Sequence, residues 1–585
     1  MFDGRPCSVT EPVPYRGRRG RTDTAIELHE TVHPARWCIT FSDLKFFQSE
    51  VRRVIQDGLT FQEDFEASYG PSMYVVNEHY IKPVTEAAGK MSWALMMNPH
   101  GLDCDLFITH AWQEDVFEFT DKVLTSWPCR ARHAWCCMLA NPQNLDIGAL
   151  LQSPSMSPFA LALQSSKYML VVPNRHKSVY TRLWCGYEAY LAFQSNKIIR
   201  TASPSIWREV LFSWLRMFPA LLIGLSIGAV SRVGQLDLFL QFALTMRTMA
   251  LLASLVSQHC GLMRLCLAAN HVGLAGISAS FLRDGTLWSR YVHIPFSGMT
   301  ALVLVNVHRI LIFSYFLLAE VDRVNCQTEM EGAEALQNHY QGSIRHASCS
   351  EVRDEVNIRH EIGDQVDEVD KVIQVLLKAG ISSDALRTAY LQGVEIRHAG
   401  FVQLAIPVLV LGPLLLTGVG LVGQYIVLLD EAADPIAEVS PVWLPVQCTS
   451  ILARLVFLCL FCRRSIDEQC FMLNVMAKIV TVFYFCEVEF SSLGNGEFFS
   501  ELSMVLFILY SLSFLVVLFF AVLGIRGTLK LPGGRQLAQF FLSRLVVSGN
   551  WRLSRTELES SPECSEVFSQ STGDASDSSG SDSSS

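Results

Sequence analysis

The stretch YMLVVPNRHKSVYTRLWCGYEAYLA, residues 168–192, carries the strongest information about the fold. Its apolar beginning is typical of a strand that is buried on both faces of a parallel sheet. The polar loop RHKSVYT follows, and RLWCGYEAYLA then has the spacing of an amphipathic helix with Glu188 in its middle. A carboxylate at that place is either a solvated surface group or part of a site.

Three more short apolar runs lie around this unit, CDLFITH (104–110), AWCCMLA (134–140) and KIIRTA (197–202). Helical stretches fill the gaps, among them PFALALQSS and QEDVFEFTDKVLTSW, in which Val116, Phe119, Val123 and Leu124 form one stripe. The alternation predicts a right-handed βαβ sheet, and sites in such sheets collect beyond the carboxyl ends of the strands.

These motifs, in this order, resemble the TIR (Toll-receptor-type) domain. CDLFITHAWQED is similar to the first strand of that family and its polar loop, and residues 142–159 resemble the loop after the second strand with its Ser-Pro helix start. YMLVVPNRHKSVYTRLWCGYE resembles the third strand, its Ser-containing loop and the Trp-Cys-x-x-Glu helix of plant-type TIR domains. The resemblance covers about residues 100–202 and implies a flavodoxin-like α/β fold. A complete TIR domain continues for another strand and helix, whereas this chain enters an apolar segment at about residue 210.

The resemblance also implies a catalytic role for Glu188, with NAD as the substrate. In TIR enzymes the Glu of that helix is the residue on which cleavage of the nicotinamide–ribose bond depends. A carboxylate suits this reaction because it stabilises the oxocarbenium-like ribose that remains when nicotinamide leaves. Trp112 and Trp184 are candidates for stacking on a substrate ring, and His110 and Asp146 are candidate substrate-binding residues at the strand ends.

The alternative is a TIR-like scaffold without enzymatic activity, which signals by self-association through this domain. Glu188 is then a satisfied residue at the rim of a helix, and His110 and Asp146 are ordinary loop or capping residues. No cofactor is required and no metal site is predicted, because the only CxxC pair, Cys459 and Cys462, has no second pair or nearby His. The cysteines are expected to be reduced, buried thiols. No basic surface indicates a nucleic-acid partner.

The remaining soluble parts flank the TIR-like domain at 100–205. Residues 1–21 are rich in Pro, Gly and Arg, residues 552–585 are rich in acids and Ser, and both are predicted to be disordered. Residues 22–99 are expected to cover the sheet with two helices, one over 42–57 with Ser42 as its N-cap and one over 83–97 with Pro83 in its first turn.

Composition indicates a membrane protein, since 50% of the 585 residues are hydrophobic, only 17% are charged, and the mean hydropathy is +0.28. The apolar windows form two sets, 210–319 and 401–526, which predict an all-α multi-pass bundle in the lipid bilayer. The positions of Lys and Arg place both termini and the loop 320–400 in the cytosol, with eight spans, or six as the alternative. The eight spans are expected at 211–230, 236–256, 260–282, 296–319, 402–428, 442–462, 470–486 and 502–523.

Several of these spans contain a cation, which suggests a second class of function. The cations are Arg216, Arg247, Arg264, Arg309, Arg454 and Lys478. A charge at mid-membrane costs about 2.5 to 3.5 kcal/mol on insertion scales, so these side chains should face the interior of the bundle. A channel or transporter with a regulatory TIR-like domain is therefore the alternative to a signalling protein.

A further pattern concerns the packing of the loop 320–400. The loop 320–400 has an apolar stripe on an acidic helix, which predicts intrachain packing or, as the alternative, a coiled-coil partner site. The stripe consists of Ile358, Ile362, Val366, Val369, Ile373 and Leu376.

The whole chain also resembles a group of multi-pass proteins from dinoflagellate-type algae that share the stretches GPSMYVVNEHYIKP and MSWALM. That likeness implies no particular activity.

Overall fold

The computed structural model describes most of the chain before residue 400 and shorter parts of the remainder. The described residues are 22–58, 65–234, 237–260, 262–284, 296–396, 399–400, 403–408, 451–453, 455–460, 462, 471–476 and 497–542. The segments 1–21 and 552–585, predicted to be disordered, lie outside them.

A mixed six-stranded sheet forms the centre of the α/β domain. Its strands are β1 (Ile39–Thr40), β2 (Leu106–Thr109), β3 (His133–Cys136), β4 (Tyr168–Val171), β5 (Ile198–Thr201) and β6 (Ile381–Ser382). Their spatial order is β1-β3-β2-β4-β5-β6. The four central strands are parallel, whereas both edge strands are antiparallel to their neighbours. The central order corresponds to the beginning of the flavodoxin-like arrangement 2-1-3-4-5.

Helices surround the sheet and continue beyond it. They are α1 (Thr22–Thr31), α2 (Phe41–Gln56), α3 (Met73–Val76), α4 (Lys82–Ala87), α5 (Trp93–Met97), α6 (Val116–Ser126), α7 (Cys137–Ala140), α8 (Pro158–Ser165), α9 (Leu183–Gln194), α10 (Trp207–Gly234), α11 (Asp237–Cys260), α12 (Met263–Asp284), α13 (Phe296–Gln337), α14 (Val352–Ile362), α15 (Val366–Ala379), α16 (Asp384–Leu391), α17 (Glu497–Leu529) and α18 (Gly534–Leu542). β3 lies on one side of β2, whereas β4 and β5 lie on the other side. Right-handed crossovers therefore place α6 on the opposite face of the sheet from α8 and α9. The observed packing of α2 on α6 and of α8 on α9 agrees with this.

The prediction of alternating strands and helices is confirmed for residues 104–202. Each of the four apolar runs contains a central strand, and Val116, Phe119 and Val123 on α6 are completely buried. One run is shorter than expected, because the strand predicted over 134–140 ends at Cys136 and α7 begins at Cys137. A continuous apolar run does not distinguish a buried strand from a buried helical turn.

The last place in the sheet is occupied by a distant part of the chain. Gly380, with φ of +64°, ends α15 in a left-handed conformation, and its carbonyl accepts a hydrogen bond of 2.9 Å from the amide of Thr201. β6 then pairs with β5 through Ile381 and Ser382. A strand from the 320–400 loop therefore lies where a flavodoxin-like fold has its fifth parallel strand.

The first predicted helix before the sheet is shifted slightly from its expected start. The predicted N-cap, Ser42, is wrong: the cap of α2 is Thr40, whose hydroxyl accepts from the Asp43 amide at 3.1 Å while the Asp43 carboxylate accepts from the Thr40 amide at 2.8 Å. This reciprocal capping box satisfies two amide groups that the first helical turn leaves without partners.

The second predicted helix, over 83–97, is also different. Helical structure begins at Met73, includes a π-helical turn at Asn77–Ile81 before Pro83, and ends at Ala87. Lys90 has φ of +67°, so the chain leaves the helix before α5 begins after its N-cap Ser92. Buried side chains from α2, α3, α4 and α5 join the core of the sheet, so the expected packing of this region on the sheet is confirmed.

Intrachain packing of the stripe in the 320–400 loop is confirmed. Five of its side chains are buried in the core shared with the sheet, and Val366 packs against that core. The stripe follows two helices rather than one, because Gly363, with φ of +53°, separates α14 from α15. Both helices pack against α9.

Two of the described helical stretches are long and apolar enough to cross a membrane, Trp207–Ser231 and Leu512–Leu529. They coincide in part with the spans expected at 211–230 and 502–523. The helices α11, α12 and α13 overlap the spans expected at 236–256, 260–282 and 296–319. The spans expected at 402–428, 442–462 and 470–486 lie largely outside the described residues.

Candidate active site

Glu188 lies on the part of α9 that faces the sheet, and its side chain is almost inaccessible. Only 5% of the residue is exposed, and the carboxyl atom Oε2 has no hydrogen-bond partner. Burial raises the pKa of Glu188 to about 8, and the hydroxyl of Thr109 acts in the opposite direction. The carboxyl group is therefore largely protonated at neutral pH.

The groups around Glu188 come from the carboxyl ends of the parallel strands. Thr109 is the last residue of β2 and Cys136 is the last residue of β3. Burial raises the pKa of the thiols of Cys136 and Cys185 and of the Tyr180 hydroxyl, and the charge of Glu188 adds to each increase. These interactions place the carboxyl group of Glu188 close to the carboxyl ends of β2 and β3.

His110, a predicted substrate-binding residue, belongs to the same buried group. Its Nε2 atom lies 3.2 Å from the Sγ atom of Cys137, and its Nδ1 atom lies 3.5 Å from Oε2 of Glu114. The side chains of His110 and Glu114 are both completely buried. Burial raises the pKa of Glu114 well above its ordinary value, and the charge of Lys122 opposes that increase. The ring of Phe119 lies 4.7 Å from the imidazole ring, between their centres.

The two tryptophans expected to stack on a substrate ring contact aromatic side chains of the protein. Trp112 lies against Tyr74, with 5.6 Å between ring centres. Trp184 is stacked on Phe159 at 5.0 Å and donates a hydrogen bond of 3.1 Å from Nε1 to Asp354 on α14. Trp184 is therefore fixed in position one turn before Glu188.

Asp146, the remaining predicted substrate-binding residue, is exposed. Its Oδ1 atom accepts a hydrogen bond of 2.8 Å from the amide of Gly148, two residues along the same loop. This turn is the capping role that the sequence left open as the alternative for Asp146.

An open cleft of about 700 Å³ lies at the carboxyl edge of the sheet, between the loops that follow β2 and β4. It is lined by Phe65, Glu66, Ser72, Tyr74, Gln113, Asp115, Arg175 and His176. The guanidinium group of Arg175 lies 2.9 Å from Asp115 and 3.2 Å from Glu66, and it packs over the ring of Tyr69. The volume of the cleft is within the range of small-molecule sites, roughly 300 to 1,000 Å³.

Sequence reasoning missed four residues of this region. Arg175 stands directly after the apolar run YMLVVPN, and this position was the available signal for it, whereas Asp115 lies farther along the loop that follows CDLFITH. Cys137 and Glu114 were missed because AWCCMLA was interpreted as one strand and QEDV as the start of a helix. None of the five predicted site residues lines the cleft.

The arrangement is that of a doubly wound α/β domain with buried polar groups at the carboxyl ends of its parallel strands. In the part of the chain that the structure describes, no three His, Cys, Asp or Glu side chains are arranged to hold a metal ion. No family model matches the chain, and neither the curated proteins nor the solved structures contain a significant match.

Proposed function

We propose that the chain is a multi-pass membrane protein whose cytosolic TIR-like domain signals, either by association between such domains or by cleaving NAD. The observation that carries the proposal is the buried carboxyl group of Glu188, which has an unpaired oxygen and lies beside the ends of β2 and β3. A carboxyl group held there without a counter-ion is costly for stability, which favours a role beyond packing.

NAD cleavage uses the carboxylate form of Glu188. Breaking the nicotinamide–ribose bond leaves positive charge on the ribose, and a nearby carboxylate stabilises that charge. We place the dinucleotide in the cleft beside Arg175 and Asp115, which opens at the same edge of the sheet. Because Glu188 does not line the cleft, clustering of the domains has to rearrange this edge before the carboxylate reaches the ribose.

The contacts between α13 and the loop before α9 support a signalling role. α13 ends at Gln337, and the next residue, Asn338, accepts a hydrogen bond of 2.9 Å through its carbonyl from the amide of Ser178. The amide of Leu183, the first residue of α9, donates to the carbonyl of Ser348 at 3.0 Å. These contacts support the proposal that a displacement of α13 reaches the helix that carries Glu188.

The test uses the full-length protein at high density in liposomes, with nicotinamide and ADP-ribose measured by mass spectrometry. Glu188→Gln keeps the shape and removes the charge, and we expect it to reduce turnover about 100- to 1000-fold. Glu86→Gln, the same change at an exposed residue of α4, is the matched control and should retain turnover. If the wild type releases no more product than Glu188→Gln, the proposal that the domain cleaves NAD is wrong. Resonance energy transfer between labelled domains then tests whether the domains associate.

We further propose eight spans with both termini and the 320–400 loop in the cytosol, as the distribution of Lys and Arg favours. Epitope tags at the two termini and after the exposed Gly342 should all resist protease in sealed right-side-out vesicles. Digestion of any one tag contradicts this topology.

A second candidate function, a channel or transporter, is favoured by a polar network between α10, α12 and α13. Glu320 on α13 is completely buried and accepts hydrogen bonds from Ser213 on α10, from Asn270 on α12 at 3.0 Å and from Arg323 at 2.9 Å. Among the predicted cations, Arg247 is buried, whereas Arg216 and Arg264 are exposed, and Arg454 and Lys478 lie outside the described residues. If the buried cations line a path for ions, Arg247→Leu should change ion flux in liposomes. Unchanged flux favours a passive membrane anchor.

A further inference from the structure

Cys137, His110 and Glu114 are arranged like the nucleophile, base and positioning group of a thiol enzyme. The Cys137 thiol is 3.2 Å from His110 Nε2, and the opposite ring nitrogen, Nδ1, is 3.5 Å from Glu114 Oε2. A nucleophile within hydrogen-bond reach of a base that is itself held by a third group characterises covalent catalysis. We propose that Cys137 is a nucleophilic thiol that accepts an acyl group from an activated ester or thioester, with His110 as its base and Glu114 as the positioning residue.

The pairing of two neighbouring strands brings these residues together. β2 and β3 are neighbouring parallel strands in the register Ile108 to Cys136, so His110 and Cys137 leave the sheet at adjacent strand ends. The amide of Glu114 donates to the carbonyl of Ala111, and its own carbonyl accepts from the amide of Met73 at 2.9 Å. Glu114 is therefore held on both sides by backbone contacts, at the edge of the sheet where α/β enzymes place their sites.

A purely structural role explains the cluster less well. Both carboxyl oxygens of Glu114 and the Nδ1 atom of His110 are buried without a hydrogen bond of good geometry. Buried polar groups that only support a fold are normally satisfied, because each unsatisfied group costs roughly 1 to 3 kcal/mol. Cys137 is the partly exposed member of the three, so the group that would meet a reagent is the one that solvent reaches.

The reaction balances without a metal or an oxidant. The thiol proton moves to His110 Nε2 as the Cys137 sulfur forms a bond to the carbonyl carbon, and the bond from that carbon to the leaving oxygen or sulfur breaks. The leaving group takes the proton from the imidazolium ring. The product is an acyl thioester on Cys137, which water or a second acceptor can later cleave.

Other titratable groups surround the pair and act on its members. Asp115, Glu118 and Lys122 act on Glu114 from the side of α6, and the Cys185 thiol on α9 lies 3.6 Å from the carbonyl oxygen of His110. Glu188 acts on Cys136 and Cys185 from α9. Burial favours the neutral form of the Glu114 carboxyl group, which lies beside Nδ1 of His110. Glu114→Ala should therefore slow Cys137 alkylation, whereas Glu114→Gln, which keeps an uncharged polar group at this place, should retain it.

The first experiment compares two thiols within the wild-type, full-length protein in detergent. Limited iodoacetamide is added at pH 7, and alkylation is followed by peptide mass spectrometry. Trypsin separates VLTSWPCR, which contains the exposed Cys129, from the peptide that begins HAWCC, in which fragment ions distinguish Cys136 from Cys137. An ordinary thiol that is partly buried reacts more slowly than an exposed one, whereas an activated Cys137 should react at least about tenfold faster than Cys129.

Variants and an acyl probe complete the test. His110→Asn should slow Cys137 alkylation about tenfold or more and leave Cys129 unchanged, and Glu114→Ala should slow it while Glu114→Gln retains it. p-Nitrophenyl acetate should place one acetyl group on Cys137 with release of one p-nitrophenolate, and Cys137→Ser should lose this acetylation.

If Cys137 is alkylated more slowly than Cys129 in the wild type, the proposal is overturned even if no variant folds. Alkylation of Cys137 without acetylation overturns the acyl-transfer assignment. These measurements contain no NAD, so their failure is separate from that of the Glu188 proposal.

Discussion

Trp184, on the helix that carries Glu188, donates a hydrogen bond of 3.1 Å to Asp354, a residue 170 positions away on α14. Arg182 reinforces this contact by donating to the Ser350 hydroxyl at 2.8 Å. The amino-terminal end of α9 is therefore held by the segment that follows α13. This connection is a physical route between the long helices and the candidate active site.

Removing the indole donor should loosen α9 without removing its aromatic packing. Trp184→Phe keeps a ring against Phe159 but loses the bond to Asp354, and we expect local opening to become about 1 kcal/mol easier. Hydrogen exchange of peptides covering 183–194 measures this as roughly fivefold faster exchange. Combining the change with Asp354→Asn should add little, because both remove the same bond.

The control for this prediction is an ion pair on the same segment that solvent screens. Arg345 and Asp367 lie 3.4 Å apart, with side chains 65% and 77% exposed. Arg345→Gln should leave exchange of α9 within experimental error. Equal effects of Arg345→Gln and Trp184→Phe would mean that α9 responds to any change in the segment.

The part of the chain that precedes the long helices should not be stable alone. A fragment of residues 22–208 lacks β6, so the edge of β5 is left unpaired, and it lacks the buried side chains of α14 and α15 that cover α9. We expect it to aggregate, since exposed edges and apolar faces promote association. Co-expression with residues 338–391 should yield a soluble complex, detected by size-exclusion chromatography. A monodisperse fragment with protected α9 amides would contradict this.

The parts of the fold that were predicted correctly are those with a local signal. β2 and β4 are short apolar runs between helices, and a strand buried on both faces needs little else. β5 is only partly buried and was indicated by its β-branched pair, Ile198 and Ile199. β1 and β6 consist of two residues each, which is too short for any period to appear, and β6 comes from a segment far along the chain. Their places are decided by tertiary pairing, which no local pattern encodes.

The same distinction applies to the site. Glu188 was singled out as an acid within an otherwise apolar helix and from the resemblance, and His110 from its position at the end of an apolar run. Glu114 and Cys137 were not, because their meeting depends on the register between β2 and β3 and on the fold of the loop between His110 and α6. Sequence spacing does not specify either.

The capping box of α2 provides a direct test of one correction. Thr40→Ala removes the acceptor of the Asp43 amide and should destabilise the α/β domain by about 1 kcal/mol. Ser42→Ala is the matched control, since Ser42 is exposed within the helix and should change stability little. Urea-dependent proteolysis of the full-length protein compares the two variants. A larger loss of stability for Ser42→Ala than for Thr40→Ala would support Ser42 as the N-cap of α2.

The last prediction concerns the pH dependence of Glu188. Its pKa is about 8 in the folded protein, against 4.5 ordinarily, because burial disfavours the charge. Below pH 4.5 the carboxyl is protonated in both folded and unfolded chains. Between these values the folded protein keeps a proton that the unfolded chain has released, so this contribution to stability falls as pH rises, by up to about 1.4 kcal/mol per pH unit. Above pH 8 there is no further change.

Glu188→Gln cannot ionise and should lack this slope. Urea-dependent proteolysis at pH 5.5, 6.5 and 7.5 should therefore show the wild type losing stability relative to the Gln variant as pH rises. Parallel curves would mean that Glu188 is already ionised at pH 5.5.

The ionisation of Glu188 should also determine the pH dependence of catalysis. Because the carboxylate is the form that stabilises the ribose cation, NAD cleavage by clustered protein should rise between pH 6.5 and 8.5, and a rate that is flat over that range would assign the chemistry to another group.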